Sequence, residues 1–183
     1  MTRLLLAALA AWLLALAPAG PALAQAAAPD EMIKTMSTQI LDRIKADKEL
    51  REGDLRRLSQ FVDETIMPSV NFERMTALSV GRNWRQATPD QQKALMTEFR
   101  SLLIRTYAGA LSAVKDQQVR VKPLRAGADE AEVVVRSEIV QSRGDPIQLD
   151  YRMEKTPAGW KIYDLNVLGV WLVETYRNQF TQE

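Results

Sequence analysis

Apolar residues recur at three- and four-residue steps along most of the first two thirds of the chain, then switch to strict alternation. The longest helical pattern follows Gly81 and Trp84. Leu95, Met96, Phe99, Leu102, Leu103, Tyr107, Ala110, Leu111 and Val114 form its apolar stripe, with Lys93, Thr97, Arg100, Ser101, Arg105, Ser112 and Lys115 between them. Ile104 is the one large apolar residue out of phase. Thr88 is placed to cap the start, Pro89 occupies the first helical position, and Gln91 completes a capping box. A helix from Pro89 to Lys115 would be roughly 40 Å long at 1.5 Å per residue. That length predicts a bend, placed near Gly109.

Three shorter helices are predicted before it. Ile33, Met36, Ile40 and Ile44 mark one that begins at Asp30 and ends before Gly53. Asp54 to Thr65 is a second, with Leu55, Leu58, Val62 and Ile66 inward and Pro68 stopping it. Asn71 caps a third, which carries Phe72, Met75 and Leu78 and ends at Gly81. Period two then takes over. Val119 and Val121 begin a strand that Pro123 ends, and Gly127-Ala128-Asp129 turns the chain. Ala131, Val133, Val135, Ser137 and Ile139 share one face of the next strand. After the turn at Arg143-Gly144-Asp145, Ile147, Leu149, Tyr151 and Met153 alternate with Gln148, Asp150, Arg152 and Glu154. Thr156 to Gly159 turns into a last strand, Trp160 to Val167. Gly169 precedes a closing helix with Val170, Leu172, Val173, Tyr176 and Phe180. The order is α+β: helices first, an antiparallel sheet of about four strands, and a closing C-terminal helix.

The start of the chain follows a different rule. Arg3 precedes an apolar run from Leu4 to Leu16, which is too short to span a bilayer comfortably; Pro18 and Gly20 break it, and Ala22-Leu23-Ala24 forms an A-x-A signal. Residues 1–24 are therefore expected to be a cleaved signal peptide, with the mature chain starting near Gln25 and forming a single domain over 25–183. No Cys follows the cleavage site for lipid attachment, and the chain holds no Cys for a disulfide. Without Arg3 the positive and negative side chains balance, so no basic field marks a nucleic-acid partner.

The chain also holds no His. That excludes Ser-His and Cys-His nucleophile pairs and histidine metal sites, and no metal or cofactor is expected. Tyr163-Asp164, with Tyr151 on the neighbouring strand, is the one arrangement suited to proton transfer; its structural alternative is a strand-end Asp bonded to backbone or to an Arg. The apolar stripes are open to two readings. They can fill a solid core, or they can wall a cavity for an apolar ligand, and periodicity does not separate the two.

Five runs carry a family likeness: MPSVNFERMTALSVGRNW, ATPDQQKALMTEFRSLLIRTYAGAL, DPIQLDYRM, GWKIYDLNVLGV and TYRNQF. In this order, from about Asp54 to Phe180, they resemble the MlaC and toluene-tolerance family. Pro68, Phe72, Gly81, Trp84, Phe99, Tyr107, Tyr151, Trp160, Asp164, Gly169, Tyr176, Arg177 and Phe180 stand at family positions. Asn71 stands where the family often has Asp, and Trp171 where it often has Ser, which would narrow a pocket mouth or change the lipid preferred.

The resemblance implies a twisted antiparallel sheet packed by helices around a deep apolar pocket. It implies a soluble periplasmic carrier, expected to be a monomer, that holds phospholipid as cargo and is not an enzyme. Its partners would be an inner-membrane ABC transporter complex with its MCE-domain protein and an outer-membrane lipoprotein, in a system maintaining outer-membrane lipid asymmetry. A branch of the family is associated with hopanoid export, which leaves that cargo open. Facing alone assigns the pocket walls to Val62, Ile66, Met75, Phe99, Leu102, Leu103, Tyr107, Leu149, Tyr151, Met153, Val167 and Val170. The rivals are a small periplasmic enzyme using Asp164 and Tyr163, and an adaptor with a solid core.

Overall fold

In the computed structural model, residues 27–124 and 130–181 are described. The leader and the Gly127-Ala128-Asp129 turn lie outside them. The first predicted helix is two: α1 (Pro29–Ala46) and α2 (Lys48–Glu52). Asp47 divides them, because its carboxylate accepts from the Leu50 N–H and caps the second. Gly53 closes α2 with φ of 78°, a left-handed value that favours glycine.

The second predicted helix begins as α3 (Leu55–Phe61) and widens into a π turn, Val62–Ile66, followed by a 3₁₀ turn, Met67–Ser69. This overturns part of the predicted stripe. Leu55 is 49% exposed and Phe61 is fully buried beside Leu58 and Val62. A π turn carries more residues per turn than an α-helix, so one periodic stripe cannot run through it.

Asn71 caps α4 (Phe72–Val80) by accepting from the Arg74 N–H at 3.0 Å. A 3₁₀ turn, Gly81–Gln86, leads to α5 (Pro89–Ser112). The capping box forms as the sequence predicts: Thr88 Oγ1 accepts from the Gln91 N–H and the Gln91 side chain accepts from the Thr88 N–H. Thr88→Ala is expected to lower stability by about 1 kcal/mol, read as a shift in urea midpoint at unchanged slope. The helix stops at Ser112, three residues before the predicted end, and runs without interruption through Gly109.

The sheet has five strands in sequential order: β1 (Gln118–Val121), β2 (Glu132–Val140), β3 (Ile147–Thr156), β4 (Gly159–Val167) and β5 (Val170–Trp171). All neighbours are antiparallel. The fifth is the short arm of a hairpin at Leu168-Gly169, where φ values of 53° and 90° match the two-residue turn whose twist suits paired strands. Val170 therefore belongs to this arm and not to the closing helix α6 (Leu172–Thr181). A bulge at Arg152/Met153 opposite Tyr163 lets Ile162, Tyr163 and Asp164 all be buried in succession on β4.

Three separate apolar clusters make the core. Ile33 and Met36 of α1 pack on Val133, Val135, Tyr151, Met153 and Ile162 of the sheet. Ile44, Leu50, Leu58, Phe61, Val62 and Ile104 join α1, α2, α3 and α5. Met75, Phe99, Leu172, Val173 and Tyr176 join α4, α5 and α6. Ile104, out of phase in the sequence, is thus the residue that docks α5 on α3.

Candidate functional site, an apolar seam between three core clusters

The helix α5 packs chiefly on α2, α3 and α4, with no strand among its main neighbours. Only Phe99 of its long stripe is buried, with the out-of-phase Ile104 the other buried residue of the helix. Leu102, Leu103 and Tyr107 are half-buried beside the third cluster, and Leu111 and Val114 beside the second. Much of the apolar surface of α5 is therefore only partly covered by the rest of the protein.

The clusters meet along a seam of half-buried apolar side chains. Ile40 touches the first and second clusters, while Val70 and Leu165 touch the first and third. Ile66, Leu103, Tyr107, Leu149 and Val167 are half-buried as well. Burial pushes the Tyr107 hydroxyl above its ordinary pKa, so this phenol stays neutral.

The predicted walls divide between seam and core. Val62, Met75, Phe99, Tyr151 and Met153 are buried inside clusters. Ile66, Leu102, Leu103, Tyr107, Leu149 and Val167 are half-buried, and Val170 is 54% exposed on the hairpin beside Leu168, itself 66% exposed. Phe99 and Leu102 also line a cleft of about 830 Å³ between the 3₁₀ turn, α5 and α6. Ile40, Val70 and Leu165 were missed. Ile40 already lay on the inward stripe of α1. Val70 reaches the seam through a parallel bridge to Ile162, a long-range pairing with no local signal.

Polar groups fix the frame around the seam. Arg74 of α4 reaches Glu154 and Glu132, each at 2.6 Å, with its guanidinium 3.8 Å over the Tyr163 ring. Asn71 donates to Glu154 at 2.7 Å and Tyr163 donates to Glu132 at 2.8 Å. The Arg74 guanidinium holds the Glu132 carboxyl below the usual glutamate range. This knot ties the start of α4 to β2, β3 and β4. Tyr151 is tied likewise, its hydroxyl bonded to Ser137 and Ser37.

Asp164 is fully buried and fully engaged. Oδ1 accepts from the Leu165 N–H at 2.9 Å and the Val173 N–H at 3.0 Å, and Oδ2 accepts from Arg152 at 2.9 Å. Burial pushes its carboxyl up despite these partners. Tyr163 bonds Glu132 instead of Asp164, so the Tyr163-Asp164 arrangement is a pair of structural ties. Trp171 lies under the Arg152 guanidinium at 3.9 Å, which places its ring on this tie. Among the described residues, no group of carboxylates is arranged to hold a metal ion, and no helix is long and apolar enough to cross a membrane.

The chain and its fold have known counterparts. A phospholipid-binding protein from Ralstonia solanacearum, solved in complex with a phospholipid, is 50% identical with a TM-score of 0.82, covering 85% of this chain and 87% of its own. The toluene tolerance protein ttg2D of Pseudomonas putida is 25% identical over 170 residues, 92% of this chain and 79% of that protein. The intermembrane phospholipid transport system binding protein MlaC of Haemophilus influenzae is 24% identical over 149 residues, 80% of this chain and 70% of that protein. The profile of the MlaC protein family matches residues 34–183, and with helices, sheet and closing helix in the expected order, the chain belongs to the MlaC family.

Proposed function

We propose that this protein carries phospholipid, with the acyl chains held along the seam between α5 and the sheet. The observation that carries this reading is the phospholipid bound to the Ralstonia relative, which is 50% identical to this chain over the matched region. The divided core supports it. A bare acyl chain in water costs about 0.8 kcal/mol for each exposed CH₂. Leu103, Tyr107, Leu149, Leu165 and Val167 offer apolar surface that no side chain of the protein fully covers. The work is physical, requiring shape and dry walls, so Asp164 and the Arg74 knot serve by holding the walls in place.

The finer reading follows from the family. Residues 1–24 direct export to the periplasm and are removed, and residues 25–183 form the lipid-binding domain. The carrier exchanges phospholipid with an inner-membrane ABC transporter complex bearing an MCE-domain protein and with an outer-membrane lipoprotein. Hopanoid is the alternative cargo, given the same apolar walls.

The test is extraction of the purified protein with organic solvent, followed by mass spectrometry. Phospholipid at near one molecule per chain is expected, together with uptake of a fluorescent phospholipid by the emptied protein. Finding no lipid and no uptake would sink the carrier reading, and recovery of triterpenoid alone would move the cargo to hopanoid. Leu103→Trp places a bulky ring in the seam. It is expected to cut lipid loading several-fold while far-UV circular dichroism stays unchanged; full loading would place Leu103 in ordinary core.

A further inference from the structure

The hairpin that joins β4 to β5 turns at Leu168 and Gly169, both with positive φ, 53° and 90°. A two-residue turn of this kind favours Asn, Asp or Gly at its first position, since a larger side chain there crowds the backbone. Leucine stands at that position, and burial does not offset the strain. Leu168 is 66% exposed, and Val170, just beyond the turn, is 54% exposed. Among the described residues four large apolar side chains are exposed, and this one turn holds two of them.

The base of the hairpin is fixed. The Leu168 N–H donates to the Gln148 carbonyl at 3.1 Å, and the Gly169 N–H donates to Oδ1 of the buried Asn166 at 2.8 Å. Trp171 on the returning arm carries the Arg152 guanidinium on its ring. The tip is thus a small apolar point on a held arm. It also continues the seam. Leu149 pairs with Val167 and Val167 with Val170, and residues directly opposite share one face of a sheet. The half-buried Leu149 and Val167 therefore lead, on one face, to the exposed Val170. The β2–β3 turn at this end of the sheet carries Arg143 and Asp145, exposed and opposite in sign, so the attraction on offer is apolar and not ionic. Two side chains supply far less than the ~800 Å² that each partner gives to a stable protein interface. A bilayer needs no matching shape, and its hold on a small apolar point is weak and reversible.

We propose that this hairpin is a membrane contact: Leu168 and Val170 dip into the surface of a bilayer and bring the edge of the seam at Val167 and Leu149 to the lipid. An acyl chain then passes between bilayer and seam along Val170 and Val167 without crossing open water. The inference rests on the carrier reading, whose seam it brings to the membrane.

The chain holds no Cys, so Leu168→Cys carries the only thiol and takes one environment-sensitive fluorophore. Its emission is expected to rise and shift to the blue on phosphatidylcholine vesicles and on phosphatidylethanolamine–phosphatidylglycerol vesicles alike, at low salt and at high. The same label at Leu55→Cys, an exposed apolar site on α3, is expected to stay unchanged. Leu168→Asn supplies the residue the turn favours. It is expected to melt no lower than the parent and to hold as much phospholipid at equilibrium, yet to release fluorescent phospholipid to vesicles about tenfold more slowly. No response at the tip, an equal response at Leu55, or a parent transfer rate in Leu168→Asn overturns the contact. A response that needs phosphatidylglycerol and vanishes in salt makes the attraction ionic and overturns it too. Slowed transfer to native membranes with unchanged transfer to protein-free vesicles makes the tip a protein contact. A parent dimer lost in Leu168→Asn, seen by sedimentation, makes it a contact between copies; either result overturns the bilayer. A protein that holds no lipid sinks the carrier reading, while the fluorophore still reports the tip, so the two failures are distinguishable.

Discussion

Phe99→Ala is expected to destabilise the protein by about 3–5 kcal/mol, measured as a fall in urea midpoint. Phe99 is 4% exposed and is the hub of an aromatic group. Its ring lies 5.7 Å from Phe72 in a stacked pair, 5.0 Å from Tyr176 edge-on and 5.7 Å from Phe180 edge-on. Those partners belong to α4 and α6, so one side chain of α5 holds three helices together. Removing it leaves a cavity that three packed helices cannot collapse into, and it also removes three ring contacts of about 0.5–1.5 kcal/mol each. Phe99→Leu keeps most of the volume and is expected to cost less than half as much. Equal costs for the two variants would show that the ring contacts, and not the buried volume, account for the site.

Asp164→Ala is expected to cost about 2–4 kcal/mol, whereas Asp164→Asn stays within about 1 kcal/mol of the parent. The alanine strands the Leu165 and Val173 N–H groups and removes the anchor of Arg152; the amide still accepts from both backbone groups. The pH dependence carries a sign. Burial raises the folded-state pKa of Asp164 above its unfolded value, so the folded protein binds this proton more tightly than the unfolded chain does. Stability from this group is fully present below the unfolded pKa and is lost as pH rises through the folded one. The stability of Asp164→Asn relative to the parent is therefore expected to improve from acid to neutral pH, in melts recorded across that range. A constant difference would mean that Asp164 has no raised pKa. Phospholipid loading is expected to survive in Asp164→Asn, which a proton-transfer role for this carboxylate would not require.

The order of elements was legible because each announced itself locally. Thr88, Pro89 and Gln91 mark the start of α5, Asn71 marks α4, and the alternation from Ile147 to Met153 marks β3. What escaped the sequence has physical reasons. The helix α5 serves two clusters, Phe99 in one and Ile104 in the other, so a single periodic stripe leaves Ile104 out of phase. The π turn at Val62–Ile66 ends the α-helical period after Phe61, so one stripe does not run from Leu55 to Ile66; Leu55 is exposed in the first turn of α3 and Phe61 is buried at its end. The bulge at Tyr163 sets three buried residues in a row where alternation predicts one in two. The seam itself has no local signature. Leu103, half-buried at the edge of a cluster, and Phe99, buried inside it, lie four residues apart on the same helix and obey the same periodicity.

A core in three blocks has joints, and joints decide where the molecule can change volume. Each block is close-packed, and close-packed protein resists compression. Any swelling or shrinking of the interior is therefore taken up at the boundaries, by Ile40, Val70 and Leu165. The helix α5 is pinned in one block by Phe99 and in another by Ile104, roughly 7.5 Å apart along its axis. It thus acts as a tie rod across a joint: the blocks can tilt about it, but they cannot separate.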